Sequence, residues 1–337
     1  MQRSAKPTIT CVAKKAGCSI TTVSFVLNGK GDEMGIGEEM QKRVREAAEQ
    51  LNYPTVTRGI RTRKSYLIGV MFLHLMNNYA NDVLRGIRTS VCPRRYCPLV
   101  TVNDYSESVA HNEVQMLLQK QVDAILCEPV LNSKTYQLIQ AHHVPSVFMG
   151  IPPKHFTDCN FVSWNTRAAA CTATQHLIKS GRKRIAFLNW SDPSDAFAVR
   201  QAGYQDALEA HGLGTHPHHY AVTAPFESPE KALRAMFSGA PSKRPDAVMT
   251  AISPLGIQAL GILENMGLHV PDDVAIMSMG RGPSQGLPRI GLSTVVGPRA
   301  TLGEEAARIA LQLINSPEHP PIQRWIESNE LLLLKTT

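Results

Sequence analysis

Residues 8 to 28, TITCVAKKAGCSITTVSFVLN, constrain this chain more than any other stretch, because apolar positions recur at helical spacing on both sides of one glycine. Val12, Ala13 and Ala16 share one face of a first helix that Thr10 can cap. Gly17 supplies the turn, since a chain leaving a helix sharply often needs positive φ. Ser19 is a natural N-cap for a second helix from about Ile20 to Leu27, with Val23, Val26 and Leu27 as its inward stripe. A third amphipathic helix follows, with Met40, Val44, Ala47, Ala48 and Leu51 on one face. Three helices in about 55 residues can just close a small core. Two short helices around a tight glycine turn form the unit whose second helix enters the DNA major groove.

Charge supports a polyanionic partner for this segment. The 337 residues carry a net charge of +7. Residues 1–65 hold 12 basic and 6 acidic side chains, whereas the remaining 272 hold 23 and 22. A basic module on a near-neutral body points to nucleic acid. A solvated basic tail would also be cationic, but it would not carry this apolar patterning. The chain has no apolar run near the roughly 20 residues of a membrane span, and MQRSAKPTIT lacks the apolar stretch of a secretory signal. A cytoplasmic location is therefore expected. Seven scattered cysteines fit reduced thiols better than a disulfide framework. Cys11 and Cys18 lack a second pair at metal-ligand spacing. The run His211, His216, His218 and His219 is metal-like only in composition, so no metal site and no cofactor are expected. GxxxxGK[ST] and HExxH are missing, and nothing in the sequence supports an enzyme.

The pattern VA..AG.S..TVS.VLN, followed by RVREAAEQLNY, resembles the LacI/GalR family of bacterial transcription repressors. The resemblance implies that Ile20, Thr21 and Phe25 occupy base-reading positions, with Ser19, Thr22, Ser24 and Asn28 near phosphates. Ile20 and Phe25 are apolar yet lie off the inward stripe, and the thymine methyl is the base-edge group an apolar side chain can recognise. Packing of Phe25 on the third helix is the alternative. Cys11 stands where the family usually has Asp, and Gly37 replaces the usual capping Ser before the third helix.

The segment PTVTRGIRTRKS, residues 54–65, is basic and looks like the family's linker, which folds into a short helix on DNA and wedges an aliphatic residue into the minor groove. Ile60 is the candidate wedge, flanked by Arg58 and Arg61. Gly59 and a length about two residues short weaken that helix, and a flexible basic tether is the alternative.

The rest of the chain alternates strands and helices. Tyr66–Leu73, Leu99–Val102, Val122–Cys127, Ser146–Met149, Arg184–Leu188, His219–Val222, Ala247–Thr250 and Val274–Met277 read as strands, each separated from the next by helical spacing. Repeated βαβ units predict two parallel-sheet lobes with a cleft at the strand ends. HLIKSGRKRIAFL, VRQAGYQDAL, LENMGLHVPDDVAIM and TLGEEAARIALQLI extend the resemblance, which implies a periplasmic-binding-protein-like body that binds an effector and forms a homodimer. The expected organisation is a helix-turn-helix headpiece over 1–53, a hinge over 54–65 and a two-lobed body over 66–337. After Ile314 the sequence offers only a short tail without the heptads of a tetramer.

The cleft positions depart from the family pattern. Ile252-Ser253 replace the usual Asn-Asp pair, Gly280 and Arg281 stand where an Asp is usual, and Trp164-Asn165 replace Asp-Asn. Arg200 and Tyr79 match positions that line the pocket, and Glu128 ends a strand where it could pair with Arg200. An uncompensated buried cation is costly, so an effector with an anionic group fits Arg200 and Arg281. An ordinary sugar and an effector-free cleft remain open at this point. In function, a dimeric regulator reading a near-palindromic operator competes with a solute-binding protein, which would share the body but require export.

Overall fold

Ile9 decides where the first helix begins. In the computed structural model α1 runs Ile9–Ala16, α2 Ile20–Leu27 and α3 Glu38–Gln50. Ile9 packs against the headpiece core, which draws it into the helix and leaves Thr8 extended at the cap position. Thr10 therefore lies inside α1 and caps nothing, contrary to expectation; Thr8 accepts no capping bond either. Gly17 ends the helix in the left-handed region at φ 69°. Val12, Ala13, Ala16, Val23, Val26, Val44, Ala47 and Ala48 form the buried core. The structure describes residues 7–27, 29–51, 53, 64–75, 78–190, 196–213, 219–222, 229–280 and 291–337. These divide into two units, Met1–Leu67 with Gln121–Asp123 and Ile68–Lys120 with Ala124–Thr337.

The second unit holds two six-stranded sheets. In the first, the order is β11 (Gln323–Ile326), β5 (Asn160–Trp164), β4 (Ser146–Met149), β3 (Ala124–Cys127), β1 (Leu67–Phe72) and β2 (Cys97–Val102). In the second it is β12 (Leu331–Leu332), β10 (Ser293–Val295), β9 (Ala275–Met279), β8 (Ala247–Thr250), β6 (Ile185–Trp190) and β7 (His219–Val222). The pairings from β11 through β1 and from β10 through β7 are parallel, and β12 adds antiparallel to β10. Helices α4 (Asn78–Val91), α5 (Glu107–Gln119), α6 (Ser133–Ala141) and α11 (Arg299–Asn315) serve the first lobe. Helices α7 (Thr166–Lys179), α8 (Ala196–Ala210), α9 (Glu230–Phe237) and α10 (Ser253–Asn265) serve the second. Strands such as β3, AILC, are buried along their whole length, as continuous apolar runs covered on both faces should be.

The chain passes between lobes after β5, after β10 and after β11. The segment after Ile314 is thus no tail: it gives one strand to each sheet. Thr336 is fully buried, and its hydroxyl donates to Ile276 O at 2.8 Å while accepting from Ser293 N–H at 2.8 Å. Helices α4 and α11 approach closely because a Cβ on Gly86 or Gly303 would run into the facing backbone at Ala300 or Val83. That approach sets the first residues of α11 beside the first turns of α4.

Candidate functional site

The second helix of the headpiece turns its polar and uncovered side chains away from the core. Ser19 caps it, its hydroxyl accepting from Thr22 N–H at 3.0 Å, with the Thr22 hydroxyl 2.8 Å away. Ile20 is 48% exposed, which costs free energy for an apolar side chain unless something covers it. Thr21 is exposed, and Thr22, Ser24 and Phe25 are half-buried. Phe25 is not among the residues packed on the headpiece core, which on this helix are Val23, Val26 and Leu27. Ser19 and Thr22 thus spend part of their hydrogen-bonding capacity on each other.

Two side chains of α3 hold the segments before and after this helix, and sequence reasoning missed both. Arg43 Nη2 donates to Ala16 O at 2.7 Å, satisfying a terminal carbonyl of α1. Gln41 is buried; its amide donates to Asp32 Oδ1 and Ile36 O, both at 2.8 Å, and its oxygen accepts from Arg45 at 2.9 Å. The available signal was a polar residue on the stripe that continues through Val44 and Ala48. Asn28, Arg58, Ile60 and Arg61 lie outside the described residues, as do Arg281, His216 and His218.

In the two-lobed body, Tyr79, Glu128 and Arg200 come together with Arg299. Glu128 ends β3 and is 9% exposed; its Oε2 accepts Leu73 N–H at 2.7 Å. The same carboxylate bonds the Tyr79 hydroxyl. Burial of that hydroxyl, reinforced by the Glu128 charge, holds the phenol above its usual range, while Arg299 and Arg200 act in the opposite sense. Arg200, from α8, stands 4.8 Å over the Phe197 ring and donates to Ala251 O at 3.1 Å. Glu128 therefore serves Tyr79 and Leu73, and Arg200 serves the backbone at the end of β8.

The other expected cleft residues spend polar atoms on neighbouring groups of the chain. Asn165 caps α7, accepting from Ala168 N–H at 3.1 Å and donating to Glu327 at 2.9 Å. Trp164 donates its indole N–H to Ser328 O at 2.9 Å. Ser253 opens α10, and its hydroxyl donates to Met279 O at 3.2 Å and to Gly280 O. The residue that sequence reasoning missed is Arg299, whose guanidinium lies 5.6 Å over the Tyr79 ring and 3.8 Å from Asp82. Among the described residues no group of three or more His, Cys, Asp or Glu could hold a metal ion, and no helix is long and apolar enough to cross a membrane.

A three-helix head with an outward-facing, capped second helix, joined to two parallel-sheet lobes, defines a DNA-reading protein with a binding-protein-like body. Residues 8–56 match the family described as bacterial regulatory proteins, lacI family, and residues 174–334 match the periplasmic binding protein-like domain. The chain thus carries a LacI-family DNA-binding domain together with a periplasmic binding protein-like domain. It is 28% identical over 315 residues to the ribose operon repressor of Escherichia coli K12, covering 91% of this chain and 92% of that protein. It is 28% identical over 337 residues to the transcriptional repressor PurR of Vibrio campbellii, covering 98% of both. In fold it matches the lac repressor dimer bound to operator and an anti-inducer, with a TM-score of 0.81 at 20% identity over 98% of this chain and 99% of that one. The CelR–cellobiose complex matches with a TM-score of 0.72 at 23% identity, over 98% of this chain and all of that one.

Proposed function

We propose that this chain is a transcriptional repressor, acting in the cytoplasm as a homodimer, that reads a near-palindromic operator and is controlled by a small molecule in the cleft. It is a regulator rather than an enzyme; its relatives are by name a ribose operon repressor and the transcriptional repressor PurR. The observation that carries the reading is α2: capped by Ser19, packed by Val23 and Val26, and presenting Ile20 and Thr21 outward. Thr21 supplies a hydrogen bond to a base edge, and Ile20 and Phe25 contact thymine methyls. Ser24 and Asn28 lie along the phosphates, helped by Ser19 and Thr22, and Arg58, Ile60 and Arg61 engage the minor groove.

The effector is anionic or a modified sugar. Arg200 supports this, as does the replacement of the family's usual carboxylates by Ser253 and Gly280. An effector changes operator affinity only through its different affinities for the DNA-competent and incompetent forms. The test is binding of the full chain to duplex DNA across a salt series. The logarithm of affinity falls linearly with the logarithm of salt if phosphates are neutralised; salt-independent binding would contradict the reading.

A further inference from the structure

Asp123 holds the chain where the basic linker ends. Its carboxylate accepts three hydrogen bonds from two consecutive residues: Ser65 N–H at 2.8 Å and the Ser65 hydroxyl at 3.0 Å on Oδ1, and Tyr66 N–H at 2.9 Å on Oδ2. The Ser65 oxygen in turn accepts Leu67 N–H at 3.2 Å, and Asp123 N–H donates to Leu67 O at 2.8 Å. Bonds to an ionised carboxylate are stronger than bonds between neutral groups. Asp123 is well placed to act as an anchor, because Val122 before it is buried and β3 after it is buried along its whole length. Gln121–Asp123 groups with the first 67 residues rather than with the strand it precedes.

Tyr66 shows that the anchor acts on the backbone. Its φ is +58°, in the left-handed region that a residue with a β-carbon disfavours. Its side chain is exposed, so burial does not offset that conformation; the bonds from Ser65 and Tyr66 to Asp123 do. The second lobe has a related device. Asp246, immediately before β8, accepts Lys183 N–H at 3.1 Å and Arg184 N–H at 2.9 Å, and its own N–H donates to Arg184 O at 3.0 Å. By strand register Lys183 is the counterpart of Tyr66, and Arg184 of Leu67. The first-lobe clamp is therefore shifted one residue outward, onto Ser65. The two clamps also differ in what they hold: Asp246 holds the chain arriving from α7, whereas the chain arriving at Ser65 is the linker.

We infer that Asp123 sets the spacing between operator half-sites that the repressor accepts, by fixing the residue at which each linker ends. The inference rests on the proposed reading of a homodimer on a near-palindromic operator, and adds its spacing determinant. Release of Ser65 and Tyr66 would lengthen each linker by two residues, up to about 7 Å of extended chain. A base pair rises about 3.4 Å, so each half-site could then shift by about two base pairs. Half-site spacing follows from where a dimer presents its reading helices, and a clamped linker confines it where a released one does not.

The test selects binding sites from random duplexes with the full unaltered chain, Asp123→Ala and Asp246→Ala, and reads the distance between the two arms of each enriched motif. The unaltered chain is expected to retain arms at one separation. Asp123→Ala should retain the same arms spread over about two base pairs to either side. On the site preferred by the unaltered chain it should bind about tenfold more weakly, because two more residues in each linker must be ordered. Asp246→Ala removes the matched clamp; it should lower the melting temperature and keep the single separation. Asp123→Asn, which retains one acceptor oxygen, and Ser65→Ala, which keeps both backbone bonds, should fall between. These two carry the comparison if circular dichroism shows Asp123→Ala to be unfolded. A single unchanged separation in Asp123→Ala, or in both milder variants where that one does not fold, would overturn the inference. So would an equal spread in Asp246→Ala, or several separations accepted by the unaltered chain. In each of these events paired arms enriched by the unaltered chain leave the repressor reading standing, whereas no enriched motif removes that reading and the inference with it.

Discussion

The indole N–H of Trp164 donates to the carbonyl of Ser328 at 2.9 Å, joining the end of β5 to the segment between β11 and β12. The same ring lies against Gly297, in the segment between β10 and α11, where a Cβ would stand 3.2 Å from it. One side chain therefore touches all three passages between the lobes. Val296 N–H to Glu330 O at 2.8 Å and Asn165 N–H to Ile326 O at 3.0 Å tie the same three segments. Trp164→Phe keeps most of the ring but strands the Ser328 carbonyl, and should cost about 1 kcal/mol in a urea titration of the full chain. A midpoint and slope equal to those of the parent protein would show that the bond contributes nothing.

Gln41 holds the chain between α2 and α3. Gln41→Ala leaves Ile36 O and Asp32 without its amide and removes the partner of Arg45. A loss of about 1–3 kcal/mol is expected, the cost of uncoupling buried polar groups. It should show as weaker DNA binding with the melting of the body unchanged. Gln41→Glu, which cannot donate to Ile36 O, should fare no better; full affinity in either variant would contradict the assignment.

Phe25 separates two readings of α2. On operators with uracil in place of thymine, the parent protein should lose about 1 kcal/mol for each contacted methyl. Phe25→Ala should then tell the two DNAs apart less well than the parent does, because one of the two groups that sense methyls is gone and only Ile20 is left. If Phe25→Ala loses equally on both operators while the parent protein still tells them apart, Phe25 packs within the headpiece and Ile20 alone meets the methyls.

Glu305 links pH to stability. Its carboxylate lies 2.8 Å from Arg308 Nη2 and 3.3 Å from Arg324 Nε, tying α11 to β11. The Arg308 hydrogen bond, with a further contribution from Arg324, holds its pKa below the ordinary 4.5. A depressed pKa in the folded state means that the stabilisation is present above pH 4.5 and disappears as pH falls through the lower folded value. Glu305→Gln should therefore be less stable than the parent by up to about 1 kcal/mol at pH 7, with the gap closing in acid. A gap of the same size at pH 7 and pH 3 would rule out this linkage.

Most of the headpiece was legible because its information is local. Val12, Ala16, Val23 and Val26 repeat at helical spacing, and Gly17 and Ser19 are the residues a turn and a cap require. Thr10 misled because the pull of Ile9 toward the core outweighs a cap preference. In the body, strands of four or more apolar residues were readable, but β10 and β12 span three and two residues and carry no period. They exist because neighbouring strands complete them. Glu128 and Tyr79 were readable as residues at the end of a strand and the opening of a helix, which is where the structure has them. The sequence was illegible where distant segments meet: nothing local to Arg299 announces that its guanidinium lies over Tyr79 and near Asp82. Trp164, Asn165 and Ser253 sit where expected, yet their polar atoms are consumed by neighbouring backbone and Glu327, which spacing along the chain cannot reveal.

The central claim is that a compact cationic head reads a paired DNA sequence. It is tested most directly by selecting binding sites for the full chain from random duplexes and sequencing what is retained. The account predicts one enriched motif with two-fold symmetry, lost when Ile20 and Thr21 are both replaced by Ala. Retention of random sequences without enrichment, or an enriched motif indifferent to that double replacement, would contradict it.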